Sequence, residues 1–164
     1  MAHITLDKTD LKILQVLQEN GRLSNVELSD RVALSPSPCL RRLKQLEESG
    51  IIRRYAALLS PVRLDLGLQV FIRVAINKAP EARETFARAV QGWQQVLSCY
   101  ALTGETDYLL HAFFTDMAAF SHFVLDVLLS HTCVADARSS FVLKEIKNTT
   151  ALPLAHLQPN HSGA

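Results

Sequence analysis

Pro36 and Pro38 stand close together in Ser35-Pro36-Ser37-Pro38, and although proline usually breaks a helix, both fit the start of one. Inside a helix, proline lacks the N–H and clashes with the preceding turn; in a sheet it breaks the ladder. In a helix's first turn the N–H groups have no intrahelical partner, so prolines at N1 and N3 cost little. Ser35 is therefore the expected N-cap of a helix running to about Ser49, which Gly50 closes.

Two more helix starts precede it. Asp7 is an expected N-cap with Asp10 at N3, and Leu6 and Leu11 stand at staple positions. Leu11, Ile13, Leu14 and Leu17 follow at helical spacing, and Asn20-Gly21 ends the helix. Ser24-Asn25-Val26-Glu27 is a capping box for a short second helix ending near Arg31, with Val32-Ala33-Leu34 as an apolar connection. On the third helix, Cys39, Leu40, Leu43 and Leu46 share the expected inward side. Ser37, Arg41, Gln45 and Glu48 centre the outward side, flanked by Arg42 and Lys44.

A short helix, a tight turn and a basic amphipathic helix make a helix-turn-helix, or simply a packed helix pair. The outward residues favour the first. Arginine matches guanine N7 and O6, glutamine matches adenine N6 and N7, and serine hydroxyls suit phosphates. Ile51 to Leu58 then reads as a strand carrying Arg53 and Arg54. It is either a backbone-contacting wing or an edge strand protected by charge.

Net charge sharpens this reading. The chain has 17 Lys/Arg and 16 Asp/Glu, for a total of +1, which by itself points only weakly to nucleic acid. Residues 1–54 hold nine basic and seven acidic side chains, whereas the remainder holds eight and nine. The basic surplus is local.

After a connector over residues 60–68, the pattern changes. Val70 to Ile76 is a β-branched strand, and Pro80 opens a helix with Phe86, Ala89, Val90 and Trp93 on one face. Val96 to Leu102 and Tyr108 to Phe114 are strands joined by a turn. Thr115 or Asp116 caps a helix with Phe120, Phe123, Val124, Val127 and Leu128 inward, and Val134 to Ile146 contains a last strand. The expected fold is α+β: a three-helix winged helix-turn-helix, then a ferredoxin-like βαββαβ sheet with both helices on one face. The bare face points to dimerisation. The Pro159–Ala164 tail is expected to be disordered.

Thr103-Gly104-Glu105-Thr106-Asp107-Tyr108 fits either an ordinary turn or a small-ligand site. Its amides and hydroxyls suit a carboxylate, and Glu105 or Asp107 suits an ammonium. The chain carries no motif of a phosphate loop, dinucleotide site, serine hydrolase or zinc protease. His122 and His131 do not have the spacing of a helical metal pair, and no metal or cofactor is expected. Cys39, Cys99 and Cys133 read as reduced thiols, with Cys99 as inert packing. No apolar run spans a membrane, and the first residues lack the pattern of a signal peptide, so a cytoplasmic protein is expected.

Leu6 to Leu14, Gly21 to Leu28, Leu34-Ser35, Arg41 to Ile52 and Thr103 to Leu110 together resemble the Lrp/AsnC family, the leucine-responsive or feast-famine regulators. The resemblance implies a DNA-binding transcription regulator, not an enzyme. It implies a helix-turn-helix over 1–54, a strand and linker over 55–68, a βαββαβ (RAM) effector and oligomerisation domain over 69–152, and a tail over 153–164.

DNA-contacting candidates are Ser35, Ser37, Arg41, Arg42, Lys44, Gln45, Arg53 and Arg54. Effector candidates are Thr103, Gly104, Glu105, Thr106, Asp107 and Tyr108, joined by Ser139 and Ser140. The implied partners are double-stranded DNA, an amino acid such as leucine or methionine, and further copies forming a homodimer and an octamer of four dimers. The implied location is the cytoplasm, on the nucleoid. Two alternatives are an effector-blind architectural protein that wraps DNA and a subunit of an amino-acid-binding enzyme.

Overall fold

The computed structural model describes residues 6–157. The expectations for the first five residues and for the 159–164 tail fall outside them.

Local caps set the helices of the N-terminal head. The first, α1 (Lys8–Glu19), begins where Asp7 Oδ1 accepts the N–H of Thr9 at 2.9 Å and of Asp10 at 2.8 Å. The Asp10 carboxylate accepts the Asp7 N–H in return at 3.1 Å, completing a capping box. In α2 (Asn25–Val32), Glu27 Oε2 accepts the Ser24 N–H at 2.7 Å, while the Glu27 N–H reaches Ser24 Oγ at 3.3 Å. Ala33, left-handed at φ +56°, ends it. Helix α3 (Pro36–Glu48) takes Pro36 and Pro38 in its first turn as expected, and Gly50 follows its end at φ +76°. Ile13, Leu14, Leu28, Val32, Cys39 and Leu46 form the head's core.

Three expectations here are corrected. Gly21 is not left-handed; α1 ends on an extended Asn20. Gly21 instead leaves room for the Tyr55 ring, whose Cδ1 lies 3.3 Å from where a Cβ would stand. Leu40 is exposed, not inward. Ile51 to Leu58 forms no strand: residues 53–60 have no ladder partner among the described residues. β-Propensity needs a neighbour to become a strand. In its place, Tyr55 Oη donates to Glu47 Oε1 at 2.8 Å. Burial and the Glu47 carboxylate push the Tyr55 phenol up to about 12.

The second unit contains β1 (Leu68–Ile76), α4 (Ala82–Gln91), β2 (Val96–Ala101), β3 (Tyr108–Phe114), α5 (Met117–His122) and β4 (Val134–Phe141). The sheet order is β2-β3-β1-β4 with every neighbour antiparallel, as a ferredoxin-like βαββαβ chain requires. Alternation places Val70, Ile72, Val74, Leu110, Ala112 and Phe114 under α4 and α5 with Phe86, Val90, Phe123 and Leu128. The helix after Asp116 widens into a π-helical stretch over Phe123–Leu128. That wider turn buries Phe123 and Leu128 fully but leaves Val124 and Val127 only partly covered.

By packing, the chain divides into two compact units. Among the described residues, the head comprises residues 6–58 together with 147–157; the sheet unit spans Leu59–Ile146. Residues 147–152 therefore pack with the head. No helix among the described residues is long and apolar enough to cross a membrane.

Candidate nucleic-acid interface and ligand turn

On α3, Ser37, Arg41, Lys44 and Gln45 are exposed on the outward side. Ser37, Pro38 and Arg41 line a shallow depression there. Ser35 caps through its backbone, with no hydrogen bond from its hydroxyl to the helix. Pro36 and Pro38 remove two first-turn donors, so the side chains carry the polar chemistry of this end. Arg53 and Arg54 lie exposed in the extended segment that follows.

Arg42 behaves differently from the other candidates. Its Nη1 lies 2.6 Å from Asp7 Oδ2 and 2.8 Å from Asp10 Oδ1, so it clamps α3 to the capping box of α1. Arg42, expected on the flank of the DNA-facing side, is thus already held by two carboxylates. The Asp10 amide and the Arg42 guanidinium hold the Asp7 carboxyl below its ordinary value. A carboxylate lowered on folding stabilises the folded state above its unfolded pKa. The head should thus keep this contribution above about pH 4 and lose it as pH falls further. The pair is partly exposed, so Arg42→Ala is expected to cost the head about 1 kcal/mol, and its melting should lose the acid-side slope due to Asp7.

Asn25 is a residue the sequence reading missed. Its Nδ2 donates to the Pro36 carbonyl at 2.9 Å, tying the start of α2 to the start of α3. Its Oδ1 is buried without a partner. Its place behind a capping serine gave no hint of this role, because the contact depends on how the two helices meet.

In the sheet unit, the turn after β2 departs from ordinary backbone at Gly104, φ +114°, where an L side chain is strained although space is open. Thr103, Gly104 and Glu105 are exposed; Thr106 and Asp107 are half-buried. Asp107 knots the turn to the sheet. Its carbonyl accepts the Leu102 N–H at 2.8 Å, and its N–H donates to the Val74 carbonyl at 3.1 Å. Its Oδ2 accepts the Ile76 N–H at 2.9 Å, where β1 runs past its last pairing with β3 at Val74 and Tyr108. Asp107 is thus partly spent on the fold, and Glu105 is the more available acid. Tyr108 also departs from expectation. Its ring lies 4.6 Å from that of Phe86, turned into the core. Asp107→Ala leaves the Ile76 amide without its acceptor and is expected to cost the unit about 1–2 kcal/mol, read by thermal unfolding.

Ser139 and Ser140 cannot both face one site in this chain. Ser139 pairs with Ile72 on the helix-covered side, and Ser140 with Phe71 on the open side. The open side also carries His111, stacked on Phe71 at 4.6 Å and bonded to Gln69 Nε2 at 2.7 Å. Burial lowers the His111 pKa against an opposing pull from Glu145. Cys39, Cys99 and Cys133 are unpaired, and burial pushes each thiol up, away from the thiolate a nucleophile needs.

A three-helix head presenting a basic helix, followed by a ferredoxin-like sheet with an exposed glycine turn, defines a DNA-binding regulator with a separate ligand domain. Residues 6–53 match the winged helix-turn-helix DNA-binding model, and residues 69–152 match the Lrp/AsnC ligand binding domain. The chain is 43% identical over 148 residues to the leucine-responsive regulatory protein of Escherichia coli K12, covering 90% of each. A Neisseria meningitidis transcriptional regulator solved with L-methionine is 78% identical, with a TM-score of 0.92 over 93% of this chain and 99% of that one. An AsnC family regulator from Agrobacterium tumefaciens is 36% identical, with a TM-score of 0.86 over 92% of this chain and 99% of that one. The chain belongs to the Lrp/AsnC family of transcriptional regulators.

Proposed function

We propose that this regulator responds to L-methionine or an apolar amino acid of similar size. The observation that carries this is the methionine complex of the 78% identical Neisseria regulator. The DNA-reading side is Ser37, Arg41, Lys44 and Gln45, with Ser35, Arg53 and Arg54 toward the phosphates. The effector site centres on the exposed turn of Thr103, Gly104, Glu105 and Thr106.

Its amides and hydroxyls suit the carboxylate, and Glu105 suits the ammonium. The open sheet face, with Phe71, Leu109, His111 and Phe113, is the surface for a homodimer, and four dimers form the octamer that the family resemblance implies. Such a protein works in the cytoplasm, on the nucleoid. The effector acts by binding one assembly state more tightly than another, which shifts the population.

Calorimetry with a panel of amino acids tests this. L-Methionine is expected to bind with measurable heat and to change DNA affinity in a gel shift. No heat from any amino acid, together with unaltered DNA binding, would favour the effector-blind reading instead.

A further inference from the structure

The head is built from two separated stretches of chain. Covalent crossings at Leu58–Leu59 and Ile146–Lys147 therefore join it to the sheet unit. The returning segment is anchored on the head. At the end of α1, Gln18 Nε2 donates to the Leu152 carbonyl at 3.2 Å, and Gln18 Oε1 accepts the Leu152 N–H at 2.6 Å. A primary amide offers a donor and an acceptor side by side, so it grips a single peptide in both position and direction. Pro153 favours an extended approach at Leu152. Leu154 then packs against the core of Ile13, Leu14 and Leu28. A single 3₁₀ turn, Ala155–Leu157, follows with the Leu157 N–H on the Leu154 carbonyl at 3.0 Å.

We propose that residues 149–157 are a docking strap whose receptor is the α1 surface around Gln18, giving the DNA-binding head a second tether to the last strand of the ligand-binding unit. The effector part rests on the methionine reading above. A head on one linker samples a large volume. A head also held through its strap samples less, so its effective concentration at the second half of a two-part site rises. β4 carries Ser139 and Ser140 and leads through residues 142–148 into the strap, so a shift of that strand reaches α1 without passing through Leu58.

The test uses the full-length protein, Gln18→Ala, Leu154→Asp and a chain ending at Asn148. The DNA is a duplex selected by the parent from a random pool, used with two half-sites or cut to one. Single-half-site binding is expected to stay within about twofold. Two-half-site binding should fall about tenfold and lose its response to L-methionine, while calorimetric methionine affinity holds. Equal losses on both duplexes, or variants indistinguishable from the parent, overturn the tether. A Leu152 amide that exchanges in the parent at the free-peptide rate overturns the docking itself. If the parent ignores methionine but the variants still lose only two-half-site binding, the tether stands and the methionine reading fails.

Discussion

Phe86→Ala is expected to lower the stability of the sheet unit by about 3–5 kcal/mol while leaving the head's own transition in place. Phe86 is fully buried on α4; its ring meets Trp93 edge-on at 5.7 Å and Tyr108 at 4.6 Å. Alanine leaves a cavity that rigid strands on one side cannot collapse into. The two cores share no residue, since Phe86 belongs to the cluster of Val70, Ile72 and Leu110, and the head has its own. Calorimetric unfolding should therefore show two transitions, with one moving down by more than about 10 °C. A single transition shifted as a whole would show that the units unfold together. Because Tyr108 follows Asp107 directly, the cavity also opens behind the turn proposed to hold the effector, and on that proposal methionine binding should weaken with it.

What the sequence made legible was local. Asp7 with Asp10 and Ser24 with Glu27 announce their helices because each bond closes within three residues. The strands show because Val70, Ile72 and Val74 alternate with half-buried or exposed neighbours. Contacts that depend on tertiary arrangement were hidden. Arg42 looked like one more cation on a basic face until α1 supplied its two carboxylates. Leu152 gave no sign of the Gln18 side chain, 134 residues away. The strand expected at Ile51 to Leu58 failed for the same reason in reverse, since its residue types fit a ladder but no partner is present among the described residues. Ser139 and Ser140 are a different case: family resemblance grouped them, while strand alternation sets them on opposite faces of the sheet.

Arg41→Ala is expected to weaken specific DNA binding by about 1–3 kcal/mol, or roughly 5- to 150-fold, and to relax preference at one base pair. Arg41 is exposed on α3, beside Ser37 at the helix start, and no hydrogen bond or ion pair holds its guanidinium among the described residues. It is therefore available for the two acceptors of a guanine edge. Its sequence neighbour provides the control. Arg42 carries the same charge but spends it on Asp7 and Asp10, so Arg42→Ala should act through the head's stability and leave base preference intact. Arg53→Ala should weaken all sequences alike and flatten the salt dependence, because a phosphate contact carries no base information. Selection from a random DNA pool at two salt concentrations separates the three outcomes. If Arg41→Ala kept the parent's base preference, Arg41 would not be the side chain that reads that base pair. Retained stability in Arg42→Ala, with preference lost at one position, would move the specific contact from Arg41 to Arg42. The local charge surplus assigns neither role; the partners of each guanidinium do.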